Sequence, residues 1–312
     1  MSKFKTFIKL IKKDRGSIIS AAMRNFAMSS ISHLIPDKAF LKIQYRANMG
    51  KKLNLKSPKT FNEKLQWLKL YYRNPDCTVM VDKYLSKKYV ADRIGEEYVV
   101  PLYGVWDGFD EIDFDSLPEQ FVLKTTHDCG GVVVCKSKDE FNREKAKKFI
   151  EEHLKNEYFY HCREWPYKNV KPRIIAEKYM KDSKEQNEGG LTDYKFFCFD
   201  GEPKLMFIAT DRAAENVETK FDFFDMEFNH LPFTNGHPNS DKEIRKPEQF
   251  ELMIELSRKL SKDIPHVRVD FYESDGKIYF GELTFYHWGG YVPFEPDEWD
   301  TKLGNWIQLP KI

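Results

Sequence analysis

Two carboxylates and an arginine near the end of the chain carry the most chemistry: Arg268-Val-Asp270 and, after a turn, Glu282-Leu-Thr284. Residues 265–272 read as a strand, Ser274-Asp275-Gly276 as a turn and residues 277–284 as the return strand. Side chains alternate along a strand, so Arg268 and Asp270 share one face, as do Glu282 and Thr284. Folding back at Asp275-Gly276 places Asp270 and Glu282 nearly opposite, roughly 5 Å apart. Two such carboxylates repel unless a cation sits between them, and a hard divalent ion with oxygen ligands is the natural guest. The plain alternative is a hairpin with solvated charges on its outer face.

A second candidate is Lys124, at the end of the apolar strand Phe121-Val-Leu-Lys124. The loop Thr125-Thr-His127-Asp-Cys-Gly130-Gly131 follows it, then the apolar run of residues 131–135. Glycines let backbone N–H groups approach phosphate oxygens, and a lysine supplies a point charge. The loop closes a hairpin rather than opening a helix, a geometry that lays a flap over a triphosphate. Neither Gly-x-x-x-x-Gly-Lys-Ser/Thr nor Gly-x-Gly-x-x-Gly is present, which argues against a Walker loop, a dinucleotide site and a kinase loop. His127, His161 and His287 fit no zinc spacing, and His287-Trp288-Gly289-Gly290, just past the hairpin, is a candidate wall of an acceptor site.

The elements that must position these groups follow from periodicity. Residues 1–95 read mostly helical, with one helix over 61–70 entered through Ser57-Pro58 and another over 80–90 stopped near Gly95. A short strand over 98–103 leads to an acidic loop ending in Leu117-Pro118. From residue 119 strands dominate, with a charged helix over 140–155, in which Phe149, Ile150 and Leu154 are candidate buried positions. A strand over 173–180 runs into a polar loop with Gly189-Gly190. Residues 193–199 and 203–209 form a hairpin about Asp200-Gly201, and an amphipathic helix over 247–262 leads into the carboxylate hairpin.

With 312 residues, 41% hydrophobic and 32% charged, the chain can build a proper core and exceeds one typical domain. Its formal net charge is +1, so nothing global points to nucleic acid. Charge is uneven, however: residues 1–56 carry 13 Lys/Arg against Asp14 and Asp37, a net of +11, which leaves −10 for the rest. Such a basic segment suits an anionic neighbour such as a membrane surface. Five cysteines, none in a Cys-x-x-Cys pair, indicate neither zinc nor a disulfide framework and fit a reducing cytoplasm. Phe4, Phe7, Ile8, Leu10 and Ile11 are interrupted by lysines, so export and a spanning helix are not expected, which leaves a surface-lying amphipathic helix or a partly ordered basic arm that packs on the body.

In order, the pieces Ser57-Pro58-Lys59-Thr60-Phe61-Asn62-Glu63-Lys64, Asp82-Lys83-Tyr84, Ile94-Gly95-Glu96, Phe121-Val-Leu-Lys124-Thr-Thr-His127, Glu177-Lys178-Tyr179-Met180, Asp193-Tyr-Lys195-Phe, Arg268-Val-Asp270-Phe and Gly281-Glu282-Leu-Thr284-Phe-Tyr resemble the ATP-grasp superfamily, in particular its teichuronopeptide-type (TupA-like) branch. The resemblance spans about residues 46–290. It implies an α+β fold in which two subdomains clasp a nucleotide behind a helical N-terminal region. The expected division is a basic helical arm (1–56), an N-terminal helical/αβ region (57–118), a small subdomain with the phosphate flap (119–190) and a large subdomain with the metal hairpin (191–312).

The resemblance also implies roles. Lys124 would hold the α- and β-phosphates of ATP, with His127, Gly130 and Gly131 in the flap. Glu177, Lys178, Tyr179 and Met180 would form the hinge whose backbone reads the adenine edge. Lys195 would face the phosphates from the hinge side, Arg268 would stabilise the anion at the transferred phosphoryl group, and Asp270 and Glu282 would carry Mg²⁺. Where many superfamily members place Asn two residues beyond the metal-binding Glu, this chain has Thr284, whose hydroxyl is the candidate replacement. The implied activity is a carboxylate–amine ligase, cytoplasmic and peripheral at the inner membrane face. It would attach an amino acid or amine to a uronic-acid-containing cell-surface polysaccharide or its precursor. Three rivals remain: a nucleotide-sugar glycosyltransferase using Asp113-Phe-Asp115, a kinase that stops at phosphorylation, and a non-catalytic module docking anionic polymer or lipid.

Overall fold

The computed structural model describes residues 22–23, 25–27, 29–181, 191–210 and 218–311; the start of the basic arm and Gly189-Gly190 lie outside them. Five helices with described bounds come first: α1 (Ser30–His33), α2 (Asp37–Met49), α3 (Phe61–Tyr71), α4 (Asp76–Val81) and α5 (Leu85–Ile94). Thr60 starts α3 through a capping box: its hydroxyl accepts from the Glu63 backbone N–H at 3.2 Å, and the Glu63 carboxylate accepts from the Thr60 N–H at 3.4 Å. The single helix expected over 80–90 is in fact two. Asp82 breaks it, because its Oδ1 accepts from the backbone N–H groups of Tyr84 and Leu85 at 2.8 and 3.2 Å. Its Oδ2 pairs with Arg173 at 2.9 Å, which fixes the break against a later element.

A four-stranded antiparallel sheet follows, in the order β1 (Leu102–Trp106), β4 (Ile174–Lys178), β2 (Phe121–Thr125), β3 (Val132–Cys135), with α6 (Arg143–Leu154) and α7 (Phe159–Cys162) between β3 and β4. Alternation sends Phe121 and Leu123 into a core with Ala146 and Ile150 of α6, and leaves Val122 and Lys124 on the other face. Phe109, Ile112, Phe114 and Leu117 fill the same core. The acidic loop therefore packs on this sheet; its charges hid four apolar anchors. In α6, Ile150 is buried as expected, whereas Phe149 is 36% exposed.

The second sheet is five-stranded, in the order β10 (Lys277–Thr284), β9 (His266–Ser274), β5 (Asp193–Phe199), β6 (Glu202–Thr210), β7 (Lys220–Phe224); β8 (Thr234–Asn235) pairs with β11 (Phe294–Glu295). Both expected hairpin turns are present with both residues at positive φ, 51° and 82° at Asp200-Gly201 and 51° and 71° at Asp275-Gly276, the conformation that matches strand twist. One face of this sheet packs on α8 (Phe250–Ser261), with Phe196 against Phe250 and Phe271. The other face takes Phe61 of α3, whose ring lies 4.9 Å from His266 and 6.1 Å from Phe197. The final helix α9 (Glu298–Trp306) locks onto α3: Asp300 accepts from the Asn62 N–H at 2.9 Å, and the Lys64 ammonium donates to the carbonyls of Gly304 and Ile307 at 2.8 and 2.9 Å.

Register in the carboxylate hairpin depends on one glycine. Uninterrupted pairing from the turn would set Asp270 opposite Gly281 and send the Glu282 side chain to the wrong face. The register instead shifts between Phe280 and Glu282, leaving Gly281 unpaired and bringing Glu282 opposite Asp270. A Cβ on Gly281 would lie 3.0 Å from the Tyr272 ring and 3.1 Å from the Asp270 carbonyl oxygen, so the bulge has no room for a side chain. Among the described residues, no helix is long and apolar enough to cross a membrane.

Candidate active site

Cross-strand pairing arranges the polar groups of the large sheet in rungs. Lys195 of β5 pairs with Asp270 of β9, and Asp270 with Glu282 of β10, which makes one row of lysine, aspartate and glutamate. The next rung holds Phe197, Arg268 and Thr284. The Arg268 guanidinium grips Asp270 in a two-pronged pair, with Nε to Oδ1 and Nη2 to Oδ2 both at 2.7 Å. The same Nη2 donates to Glu282 Oε1 at 3.0 Å and Thr284 Oγ1 at 3.1 Å. Lys195 Nζ reaches Asp270 Oδ2 at 2.6 Å and Asp193 Oδ1 at 3.3 Å. The two hairpin carboxylates thus converge, on an arginine.

Burial alone would raise the Asp270 carboxyl, but Arg268 and then Lys195 hold it down to about 2. His287 secures the arginine from behind. Its Nδ1 accepts from Arg268 Nη1 at 2.8 Å, and its Nε2 faces Asn235 Oδ1 at 2.8 Å. Asn235 is itself oriented by donating to the carbonyls of Val292 and Pro293, both at 3.1 Å. Burial, and after it the charge of Arg268, pushes the His287 imidazole well below its ordinary range, so it stays neutral and able to accept. His287 is therefore a buried support and not a wall of an acceptor site; in this motif only Trp288 is substantially exposed.

The donor set around Asp270 and Glu282 is all oxygen, which suits Mg²⁺. Glu282 is half-exposed, and its Oε2 receives no hydrogen bond from the described residues. Asp270 Oδ1 accepts only from Arg268 Nε and keeps a lone pair. The charges Asp193, Asp270 and Glu282 against Lys195 and Arg268 leave one negative charge in excess, so a cation is accommodated. Among the described residues, no group of three or more His, Cys, Asp and Glu forms a metal cluster. His287, His127 and His161 in particular have separate partners.

On the small sheet, Glu177 of β4 is buried between two lysines, with Lys124 of β2 and Lys87 of α5 each 2.6 Å from it. Burial would raise its carboxyl, and Lys124 and Lys87 bring it down to about 2. Lys87 escaped the sequence reading. It stands among Lys83 and Lys88 on a stretch that looks solvated, and only the helix break at Asp82 together with the partner on β4 gives it meaning. The hinge that follows is tied in place: the Lys178 N–H donates to the Pro101 carbonyl at 2.9 Å, and Ser274 of β9 donates to the Lys181 carbonyl at 2.6 Å. Tyr179 is half-buried and Met180 buried.

The flap is built by a polar network rather than left loose. The Thr125 hydroxyl donates to Asp128, whose carboxylate also meets His153 of α6, and the Lys83 ammonium donates to the Asp128 carbonyl. Gly131 packs so tightly that a Cβ there would overlap the Thr125 hydroxyl. His127 is buried, with Nε2 facing the Asn156 carbonyl at 3.1 Å; the exposed tip is Cys129-Gly130, not His127. That tip feels the charge of Glu282 and Lys83, which sets it across from the carboxylate hairpin.

Comparison with known proteins bears on this arrangement. The chain is similar to the D-alanine–D-alanine ligase of Bacillus anthracis complexed with ATP at 19% identity and a TM-score of 0.39, covering 66% of this chain and 55% of that one. It is similar to the D-alanine–D-alanine ligase of Helicobacter pylori at 15% and 0.35, covering 72% and 61%. It is also similar to the ATP-grasp ligase PsnB complexed with minimal precursor, Mg and ADP, at 11% and 0.37, covering 72% and 57%. The chain thus spans between 55% and 61% of the length of these three ligases. No curated protein matches it significantly. A sequence model of the TupA-like ATP-grasp family matches residues 63–308, reaching further toward the C-terminus than the motifs that suggested the likeness. The chain belongs to the TupA-like ATP-grasp family.

Proposed function

We propose that the protein is an ATP- and Mg²⁺-dependent carboxylate–amine ligase that makes an amide through an acyl phosphate. A carboxylate does not react with an amine at neutral pH because its leaving group would be oxide. Transfer of the γ-phosphoryl group of ATP to a carboxylate oxygen makes phosphate the leaving group, and the amine then attacks the carbonyl carbon. Phosphoryl transfer needs positioning and charge neutralisation above all. Lys124 and Lys87, spaced by Glu177, would hold the α- and β-phosphates, with the 177–180 backbone against the adenine. Lys195 and Arg268 would neutralise charge on the transferred group. Asp270, Glu282 and Thr284 would hold Mg²⁺, which supplies further neutralisation of the triphosphate when bound. The Cys129-Gly130 tip, opposite Glu282, would keep water from the acyl phosphate.

The observation that carries this reading is the rung of Lys195, Asp270 and Glu282 with Arg268 gripping both carboxylates. The glycosyltransferase rival finds less support: Asp113 and Asp115 lie exposed in a loop, with Asp113 Oδ1 accepting from the Asp115 N–H at 3.1 Å and Asp115 near Arg143. The acceptor we propose is a uronic-acid-bearing cell-surface polysaccharide or its precursor, the nucleophile an amino acid or amine. The basic N-terminal arm would meet an anionic membrane surface. The test is turnover of ATP to ADP and phosphate that requires a carboxylate acceptor. Glu282→Gln should reduce it on the order of a hundredfold, with the fold intact by circular dichroism. Release of UDP or GDP from a sugar nucleotide, or undiminished turnover by the variant, would overturn the reading.

A further inference from the structure

Glu164 is a buried carboxylate without a partner. The residue is 6% exposed, and no described residue gives its carboxylate a hydrogen bond or lies within ion-pair distance. Leaving such a group unpaired is costly, and native interiors rarely tolerate it without a reason. Its placement is enforced. Arg163, immediately before it, turns the chain at φ 55° and is itself anchored, with Nη2 donating to the Ser32 carbonyl at 2.7 Å and the guanidinium stacked 4.0 Å over Phe40. The 3-10 turn Trp165–Asn169 follows directly. Pinned on both sides, Glu164 is held in this position by the backbone around it.

The surroundings select a ligand. Tyr158 and Tyr167 stand half-buried and edge-on, ring centroids 4.7 Å apart, and both feel the charge of Glu164 and of the flap thiol Cys129. Tyr167 also feels Glu282 and Arg268, and Glu164 itself feels Glu282; Cys162, two residues before Glu164, packs on the loop that follows the hairpin, where a Cβ on Gly289 would lie 2.9 Å from its Sγ. Lys69, the cation whose charge Glu164 feels, is already committed: its ammonium donates to Gln66 Oε1 at 3.1 Å and the Gly289 carbonyl at 2.7 Å, and lies 4.5 Å over the Tyr291 ring. A buried carboxylate in the company of two tyrosines, with no ion pair to a cation among the described residues, is suited to an ammonium ion, which brings three donors and a charge.

We propose that Glu164 receives the ammonium group of the nucleophilic substrate and takes one of its protons, so that the free amine can attack. This rests on the ligase reading above and adds the residue that handles the amine. The balance is complete: the ammonium gives a proton to the Glu164 carboxylate, and the nitrogen lone pair forms the C–N bond. The C–O bond to phosphate breaks, phosphate leaves with the bonding pair, and the second nitrogen proton departs with it.

Burial pushes the Glu164 carboxyl up to about 7, with Lys69 opposing and Glu282 reinforcing the rise, which suits exchange of a proton near neutrality. Tyr158, Tyr167, Tyr286, Tyr291, Cys129 and Cys162, which share its electrostatic environment, are raised above their ordinary ranges and stay protonated. Lys69 and Glu282 are therefore the charges it titrates against.

The test uses the full chain with ATP, Mg²⁺ and glucuronate or its oligomers, with hydroxylamine or a panel of amino acids as nucleophile. Hydroxylamine is largely uncharged at neutral pH, so it captures an acyl phosphate as a hydroxamate without needing an ammonium receiver. Glu164→Gln should keep hydroxamate formation within about threefold while losing amide formation with amino acids on the order of a hundredfold, and the lost rate should recover about tenfold per pH unit toward the amine's own pKa. Equal loss with both nucleophiles, no loss with either, or no recovery with pH would overturn the assignment. Absence of hydroxamate from the wild type is a different result, which overturns the ligase reading itself.

Discussion

Three buried carboxylates in this molecule meet opposite electrostatic fates, and the difference is measurable. Asp270 and Glu177 are held at about 2 by cations, so in the folded state they resist protonation. Their stabilisation, each on the order of 2–3 kcal/mol, is present above the unfolded values near pH 4 and is lost as pH falls toward 2. Glu164 is the reverse. Its folded value of about 7 exceeds the ordinary 4.5 of a glutamate, so the folded state binds the extra proton between these limits. Stability then falls as pH climbs through that window, by on the order of 3 kcal/mol once above pH 7. Denaturant unfolding of Glu164→Gln should therefore show a gain over wild type that grows from pH 5 to pH 8; parallel curves would contradict the burial argument. At this scale the sequence was half legible. Arg268 with Asp270, and Glu282 with Thr284, could each be set on one face because strand alternation is a local rule, but the meeting of the two pairs depends on the bulge at Gly281. Glu164 and Lys87 could not be read this way, since their meaning comes from partners on other elements.

Elements were legible where a turn residue dictates geometry. Asp200-Gly201 and Asp275-Gly276 announced their hairpins, and the structure has both. What the sequence concealed was the interruption of a regular pattern: the helix break at Asp82 and the bulge at Gly281, each produced by one residue acting against its neighbours. The bulge carries a prediction. In Gly281→Ala the new methyl would press on the Tyr272 ring and the Asp270 carbonyl, and the strand would shift or slip. A loss of about 1–3 kcal/mol is expected. If the placement of Glu282 depends on the bulge, the thermal shift given by ATP with Mg²⁺ should shrink as well. An alanine variant with unchanged melting temperature and unchanged nucleotide shift would mean that the bulge is incidental.

At the scale of the whole molecule, the ends of the matched region close on each other. Trp299 and Leu303 of α9, with Ile307 just beyond it, are buried against the helical layer, and Asp300 caps the start of α3. At about 2–3 kcal/mol per fully buried large side chain, these three account for much of the 5–15 kcal/mol that usually separates folded from unfolded. A chain ending at residue 297 should lack a cooperative thermal transition; a soluble product with a normal one would make α9 an appendage. Neither this closure nor the packing of residues 109–117 on the small sheet was visible beforehand. Both are contacts between distant segments, and local periodicity holds no record of them. The α+β fold with its two subdomains was expected from the family resemblance, while single strands and hairpins could be read from alternation and turns, which are written locally.

The joint at Asp82 and Lys83 has one more implication. Asp82 caps α5, the helix that carries Lys87, while Lys83 holds the flap twice, through its N–H to the Thr126 carbonyl at 3.1 Å and through its ammonium to Asp128. The lid and the lysine-bearing helix share a single knuckle. In the proposed role of a lid, that loop would not swing by itself: lifting it would tug on the start of the helix behind it, and its opening would be coupled mechanically to the admission of a nucleotide.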